Sequence, residues 1–151
     1  MEHKQLLTVF NSLPVGIGFF TADGTLVRCN ESFCRIFGAD SQTLLGNKLN
    51  INENSVVPDV VKEAVRRCVP VQMSFLYDFD KQRTDKRFFS TRTRTCYLKC
   101  NGNPLYDNDG KFVNYIFIFE DITETVKSEE VLRQSRRKTE LAMKAANIMF
   151  W

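Results

Sequence analysis

The side chains of this chain that could do chemistry are its cysteines and its single histidine, His3. An odd number of cysteines, none in a Cys-x-x-Cys spacing, argues against both a disulfide framework and a zinc site. No nucleophile with a base partner and no phosphate-binding glycine loop is found, so the sequence does not predict an enzyme. We expect reduced thiols packed as small apolar side chains, which indicates a cytoplasmic location. The cysteines are Cys29, Cys34, Cys68, Cys96 and Cys100.

Length and charge narrow the class of protein. The chain has 151 residues, a formal net charge of +3 and 13 phenylalanines. This length suits one domain with an aromatic-rich core plus an appendage. The small net charge does not predict a nucleic-acid partner, and no apolar run approaches the ~20 residues of a membrane-spanning helix. The basic segment from Lys81 to Lys99, in which Arg92 and Arg94 alternate with threonines, is expected to be a solvated sheet face or a loop.

The pattern of apolar and turn residues predicts the elements that must position any site. Helices are expected over residues 4–13, 31–37, 41–45 and about 55–68, and strands over 16–21, 25–29, 71–79, 88–101 and 111–119. Asn30 is the predicted cap of the second helix, and Gly38 its end. The turns Asp23-Gly24 and Asp109-Gly110 favour antiparallel pairing. The order predicts an α+β fold whose antiparallel sheet is covered by helices on one face.

Four linked motifs resemble those of the PAS domain, a sensory module of bacterial signalling proteins. The motifs are Pro14-Val15-Gly16-Ile17 before the Asp23-Gly24 turn, Asn30-Glu31-Ser32-Phe33, Leu44-Leu45-Gly46, and Pro104 to Gly110 before a last strand that ends in Asp121-Ile122-Thr123. The resemblance covers roughly residues 6–124. It implies a five-stranded antiparallel sheet, short helices on one face with a pocket beneath them, and a C-terminal signalling helix, but it implies no particular ligand.

The resemblance also implies how the chain is organised. Residues 1–13 would be an N-terminal capping helix, 14–120 the PAS core, 121–140 a joint and connector helix, and 141–151 the start of a second, truncated PAS-like domain. Tandem PAS domains are typical of sensor histidine kinases and hybrid kinases, so the resemblance implies a two-component phosphorelay. The expected partners are then adjacent PAS and kinase domains of the same protein. A diguanylate cyclase or a transcription regulator is left open as the parent.

The joint between the last strand and the long helix is the first candidate site, formed by Asp121, Ile122, Thr123 and Glu124. Asp121 is predicted to cap the helix while Glu124 reaches back to the cap N–H, as in a capping box. The resemblance implies that this motif is the output joint, and a plain helix start is the alternative. The helix has few apolar residues at heptad positions, so it is predicted to pair weakly or to be a solvated connector.

A set of apolar residues predicted to point inward is the second candidate site. Their bulk favours a filled core over a large cavity, and an unidentified small-molecule ligand is left open. No cofactor is predicted. Haem is not expected because His3 lies outside the core, and flavin is not expected because Cys34 lies in the first core helix, where the reactive cysteine of light-oxygen-voltage domains does not belong. The residues are Phe19, Phe33, Phe37, Val61, Val65, Met73, Phe75, Leu98, Cys100, Ile116 and Ile118.

The last strand is apolar on both faces. Phe117 and Phe119 alternate with Ile116 and Ile118, so the outer face of the sheet needs a cover. The N-terminal helix or a second protomer could supply that cover. We therefore expect a homodimer, with a ligand-free dimerisation scaffold as the rival to a sensor.

Overall fold

The computed structural model describes residues 2–82 and 90–149. The chain divides into two compact units, Met1–Asp121 and Ile122–Trp151. The first unit holds every strand that is described here and all but one of the helices. In chain order its elements are α1 Glu2–Ser12, β1 Gly16–Phe20, β2 Leu26–Cys29, α2 Glu31–Phe37, α3 Ser41–Gly46, a 3₁₀ turn Ile51–Glu53, α4 Asp59–Arg67, β3 Val71–Asp78, a short helix α5 Phe79–Gln82, β4 Thr95–Tyr106 and β5 Phe112–Asp121.

The five strands form one antiparallel sheet in the order β2-β1-β5-β4-β3, which confirms the predicted α+β class. Strand β5 is central, since it pairs with β1 on one side and with β4 on the other. The Asp109-Gly110 turn joins β4 to β5, with Gly110 at φ +80°. Because β5 ends at Asp121, the centre of the sheet leads directly into the second unit.

Local capping explains where the short helices begin. The Asn30 side chain accepts a hydrogen bond from the Phe33 N–H at 3.0 Å, and α2 is followed by Gly38 at φ +65°, both as predicted. Helix α4 starts after Pro58, a few residues later than expected, and buries Val61 and Val65 on the sheet. These helices cover one face of the sheet and enclose the core between the two layers.

Close packing at the sheet depends on Gly102. A Cβ there would lie 2.6 Å from a ring carbon of Phe117 and 2.8 Å from one of Tyr115. Because glycine has no Cβ, these two buried rings can pack directly on the backbone of β4. On the opposite face, Phe10 of α1 packs on Phe19 with ring centroids 6.0 Å apart. Helix α1 therefore covers part of the outer face.

Strand β4 differs from its prediction at both ends. It begins at Thr95 because Arg94 has φ +65°, which interrupts an extended chain, and the predicted residues 88–89 lie outside the described part. It continues past Pro104 because β3 pairs only as far as Gly102, so from there β4 is an edge strand that can accept a proline. Residues 90–94, the described part of the basic segment just before Thr95, therefore form a loop and not a strand face.

The second unit contains helix α6, Thr123–Met149. It runs without interruption through residue 140, where the connector was expected to end and a second domain to begin. Glu130 and Arg133 form an ion pair at 2.8 Å on its surface. Its larger apolar side chains Val131, Leu132, Leu141 and Met143 are each more than half exposed.

Candidate functional site

The end of strand β5 is held by Arg92. Its Nη1 atom donates a hydrogen bond to Asp121 Oδ2 at 3.1 Å and another to the main-chain carbonyl of Ile36 at 2.9 Å. The Arg92 guanidinium also lies over the ring of Phe79, 4.8 Å from the centroid. The two charged side chains are only 32% and 28% exposed, so water screens the pair partly. One side chain thus connects helix α2, the start of α5 and the end of the central strand.

Asp121, which the sequence predicts to be the cap residue, lies one residue before the cap position. Asp121 is still a strand residue, paired opposite Leu98, and its carboxylate bonds Arg92. Helix α6 begins at Thr123, and the Ile122 carbonyl accepts the first helical bond from the Val126 N–H at 2.9 Å. The cap position is therefore Ile122, and Glu124 stands two residues after it instead of the three that a capping box requires.

A small cavity lies between the sheet and the helices. Its volume is about 30 Å³, which leaves room for water but is far below the ~300 Å³ of a typical small-molecule site. One wall is polar: the Asn54 side-chain amide donates to the Tyr77 hydroxyl at 2.8 Å, and its oxygen accepts from the Val56 N–H at 3.0 Å. The lining residues are Phe20, Phe33, Phe37, Leu49, Asn50, Ile51, Asn54, Val57, Tyr77 and Phe119.

Eight of the eleven predicted inward residues belong to this core. Phe33 and Phe37 line the cavity itself. The other six are buried in the surrounding core or packed against it: Val61, Val65, Met73, Phe75, Leu98 and Cys100.

Phe19, Ile116 and Ile118 lie on the opposite face, and their assignment to the pocket was wrong. In β1 the inward positions are Gly18 and Phe20, because a Cβ at Gly18 would touch the ring of Phe33. In a strand that is apolar on both faces, polar and apolar residues do not alternate, so the sequence does not indicate which face points to the core. An error of one residue in the assignment then exchanges the two faces.

Sequence reasoning missed several residues that matter at the site. Phe20, Asn54 and Tyr77 line the cavity but have no predicted role, and Phe119 is predicted only as part of a strand that is apolar on both faces. The aromatic spacing at 115, 117 and 119 was an available signal for the inner face of β5. Arg92 carried no local signal, because its partner Asp121 is 29 residues away.

A chain of contacts within the first unit joins the cavity to Asp121. Ring centroids are 5.4 Å apart between Phe37 and Tyr77, and 4.9 Å apart between Tyr77 and Phe79. Phe79 then lies under the Arg92 guanidinium, which binds Asp121. Tyr77 and Phe79 are almost completely buried, so a displacement of one ring must displace the next.

The described residues lack two features. Over residues 2–82 and 90–149, no three His, Cys, Asp or Glu side chains are grouped so that they could hold a metal ion. In the same part of the chain, no helix has both the length and the apolar character that crossing a membrane requires.

Comparison with known proteins gives one family and many similar folds. The model of the PAS fold family matches residues 10–127. The PAS domain of a protein from Colwellia psychrerythraea has a TM-score of 0.61 at 15% identity, covering 82% of this chain and 99% of that one. A domain of a sensory box sensor histidine kinase/response regulator from Geobacter sulfurreducens has a TM-score of 0.54 at 15% identity, covering 80% and 94%.

An RNA-binding light-oxygen-voltage receptor has a TM-score of 0.66 at 18% identity. The alignment covers 91% of this chain but only 37% of the receptor. No curated protein sequence matches. At identities this low, these likenesses show the fold alone.

Proposed function

The chain belongs to the PAS fold family, and from this premise we propose that it relays a signal through helix α6 to an output domain. The observation that carries the proposal is the contact chain from the cavity wall to Asp121. A change in the core that moves Phe37 or Tyr77 would move Phe79 and the Arg92 guanidinium lying over it. Because Arg92 binds the last residue of β5, the start of α6 would respond.

We further propose that the output is a sensor histidine kinase in a cytoplasmic phosphorelay. Support comes from similar folds in a two-component sensor histidine kinase and in the Geobacter sulfurreducens kinase/response regulator. The long α6, with exposed apolar and charged residues, is suited to pair with a neighbouring helix when adjoining domains hold it. In this role the joint Asp121 to Glu124 couples the sheet to the helix.

The small cavity favours a module that works without a bound cofactor. A volume of about 30 Å³ would have to expand before any organic ligand could enter. Native mass spectrometry of freshly purified protein tests this directly. Protein of the sequence mass alone supports signalling through protein contacts, and a co-purified small molecule would favour a ligand sensor instead.

A dimerisation scaffold in another signalling protein, such as a diguanylate cyclase or a transcription regulator, is the second candidate. The outer face favours it, because Val27 and Ile118 on the sheet and Leu6 and Val9 on α1 are partly or largely exposed apolar residues. Sedimentation over a range of concentrations measures the assembly. A dimer is expected, and a strict monomer at high concentration would count against both the dimer and the scaffold.

The relay itself is tested in the full-length parent by measuring kinase autophosphorylation, basal and stimulated. Arg92→Gln and Asp121→Asn each remove the ion pair, and Arg94→Gln is the matched control because Arg94 is exposed on the same segment. We expect both pair variants to change the ratio of stimulated to basal activity and the control to leave it unchanged. If the pair variants fold but give the same ratio as the control, the relay through Arg92 is wrong.

A further inference from the structure

Two of the cysteines lie next to each other where β2 turns into α2. Cys29 is the last residue of β2 and Cys34 lies within α2, and their Sγ atoms are 3.9 Å apart. Both side chains are only partly buried, whereas Cys96 and Cys100 are buried in the core. A reagent in solution can therefore reach this pair, which has no part in the contact chain to Asp121.

The fold itself imposes this sulfur contact. Asn30 is the single residue between β2 and α2, and its side-chain oxygen accepts from the Ile17 N–H at 2.8 Å and from the Phe33 N–H at 3.0 Å. Its amide donates to the carbonyl of Phe10 at 2.9 Å and to that of Val15 at 3.0 Å. With the turn held by four hydrogen bonds, the thiols face each other at a high effective concentration.

We propose that Cys29 and Cys34 form a reversible intramolecular disulfide when the protein meets a small-molecule disulfide such as oxidised glutathione. One protein thiolate attacks a reagent sulfur, the reagent S–S bond breaks, and the first glutathione leaves. The other protein thiolate then attacks the mixed disulfide and expels the second glutathione. Two protein thiols are oxidised, one reagent disulfide is reduced to two thiols, and the two protons end on those thiols.

The bond would act on the helix that forms the cavity wall. The sulfurs must approach from 3.9 Å to about 2.05 Å, which draws the end of β2 and the first turns of α2 together. Helix α2 carries Phe33 and Phe37 at the cavity and the Ile36 carbonyl that Arg92 binds. Oxidation is therefore expected to slow amide hydrogen exchange in α2.

The environment of the pair sets the speed and the persistence of the reaction. Burial raises the pKa of Cys29 to about 12, and the neighbouring Cys34 contributes to the rise. Burial also raises the pKa of Cys34; the hydrogen bond with Cys29 and the charge of Arg35 oppose the rise, and Asp40 and Glu31 add to it. Few thiolates exist at neutral pH, so the reaction is slow. Thiols of high pKa are poor leaving groups, so the disulfide is persistent once formed.

Trypsin provides a direct assay, because cleavage after Arg28 and after Arg35 leaves both cysteines in the peptide 29–35. The folded 151-residue protein is incubated with oxidised glutathione, remaining thiols are alkylated, and the peptide is weighed. We expect the peptide to be two hydrogens lighter than the dithiol and free of alkylation. Finding it doubly alkylated, or carrying stable glutathione adducts, would overturn the proposal.

Variants separate pairing from general thiol reactivity. Cys34→Ser is expected to trap one glutathione on Cys29, because the resolving thiol is missing, and Cys68→Ser is expected to leave the 29–34 disulfide unchanged. Circular dichroism checks that the variants fold. If a serine variant does not fold, the mass of peptide 29–35 from the wild-type protein still tests whether the disulfide forms. A disulfide that forms only in urea would show that the native contact does not promote it. The outcome is independent of the proposed relay, because the assay reads no signalling output.

Discussion

Arg92 holds the end of the central strand through contacts with Asp121, the Phe79 ring and the Ile36 carbonyl, and Arg92→Gln removes the charge on which the first two depend. The ion pair to Asp121 is about one-third exposed on both sides and is worth about 0.5–1 kcal/mol. The cation–π contact lies on the fully buried ring of Phe79 and is worth about 1 kcal/mol. The hydrogen bond to the Ile36 carbonyl contributes about 1 kcal/mol. Because such terms overlap, we expect a net loss of about 2 kcal/mol in the free energy of unfolding.

Urea unfolding followed by near-ultraviolet circular dichroism measures this loss, because the buried Tyr77 and Tyr115 report on packing of the sheet domain. A loss of about 2 kcal/mol lowers the urea midpoint by about 1 M without changing the slope. Asp121→Asn removes the ion pair and should cost about 0.5–1 kcal/mol. The double variant should show a coupling energy of similar size.

Arg94→Gln is the control, because it makes the same substitution at an exposed side chain two residues away. It is expected to change stability by less than about 0.5 kcal/mol. A coupling energy below about 0.2 kcal/mol between the Arg92 and Asp121 variants would mean that the pair does not hold the strand end. Equal losses of unfolding free energy in the Arg92 and Arg94 variants would show that the contacts of the Arg92 side chain do not hold the strand end.

Three further predictions concern packing, capping and pH. Gly102→Ala, whose Cβ would lie 2.6 Å from a ring carbon, should cost about 1–3 kcal/mol in urea unfolding, whereas Gly46→Ala, with open space around it, should cost nothing or stabilise. Asn30→Ala loses four hydrogen bonds and should cost at least about 3 kcal/mol of unfolding free energy. The control Asp40→Ala loses a single cap bond and should cost about 1 kcal/mol. Equal losses would contradict the view that Asn30 joins several segments through its side chain. Burial raises the pKa of Tyr115 from 10.0 to about 12, so its contribution to stability is complete below about pH 10 and is lost as the pH rises towards 12. Tyr115→Phe should therefore flatten the alkaline fall in the free energy of unfolding, and an unchanged slope would show that Tyr115 does not cause it.

The fold was predictable because its signals are local. Asn30 and Gly38 bound α2, and Gly24 and Gly110 take the positive φ that their turns require. Each of these positions depends on a few neighbouring residues, so the order of elements could be read along the chain. The antiparallel sheet followed from that order, and the family match bears out the PAS resemblance.

The faces of the strands were predictable only where polar and apolar residues alternate. In β1 the sequence predicts Phe19 to point inward. Gly18 and Phe20 face the core instead, because the ring of Phe33 packs directly against Gly18 where a side chain would otherwise lie. In β5 both faces are apolar, and the pairing with β1 and β4 decides which residues meet the helices. The cavity lining therefore could not be read from β5 alone.

The sequence by itself determined the elements, their order and the place where strand meets helix, because caps and turns act over three or four residues. Only the tertiary structure decided what holds that joint. A local pattern predicted that Asp121 would cap α6, but the fold brings Arg92 within 3.1 Å of its carboxylate from 29 residues away. The tertiary structure likewise placed the thiols of Cys29 and Cys34 in contact. Both results depend on how separate elements pack, and that packing is set by the whole core rather than by neighbouring residues.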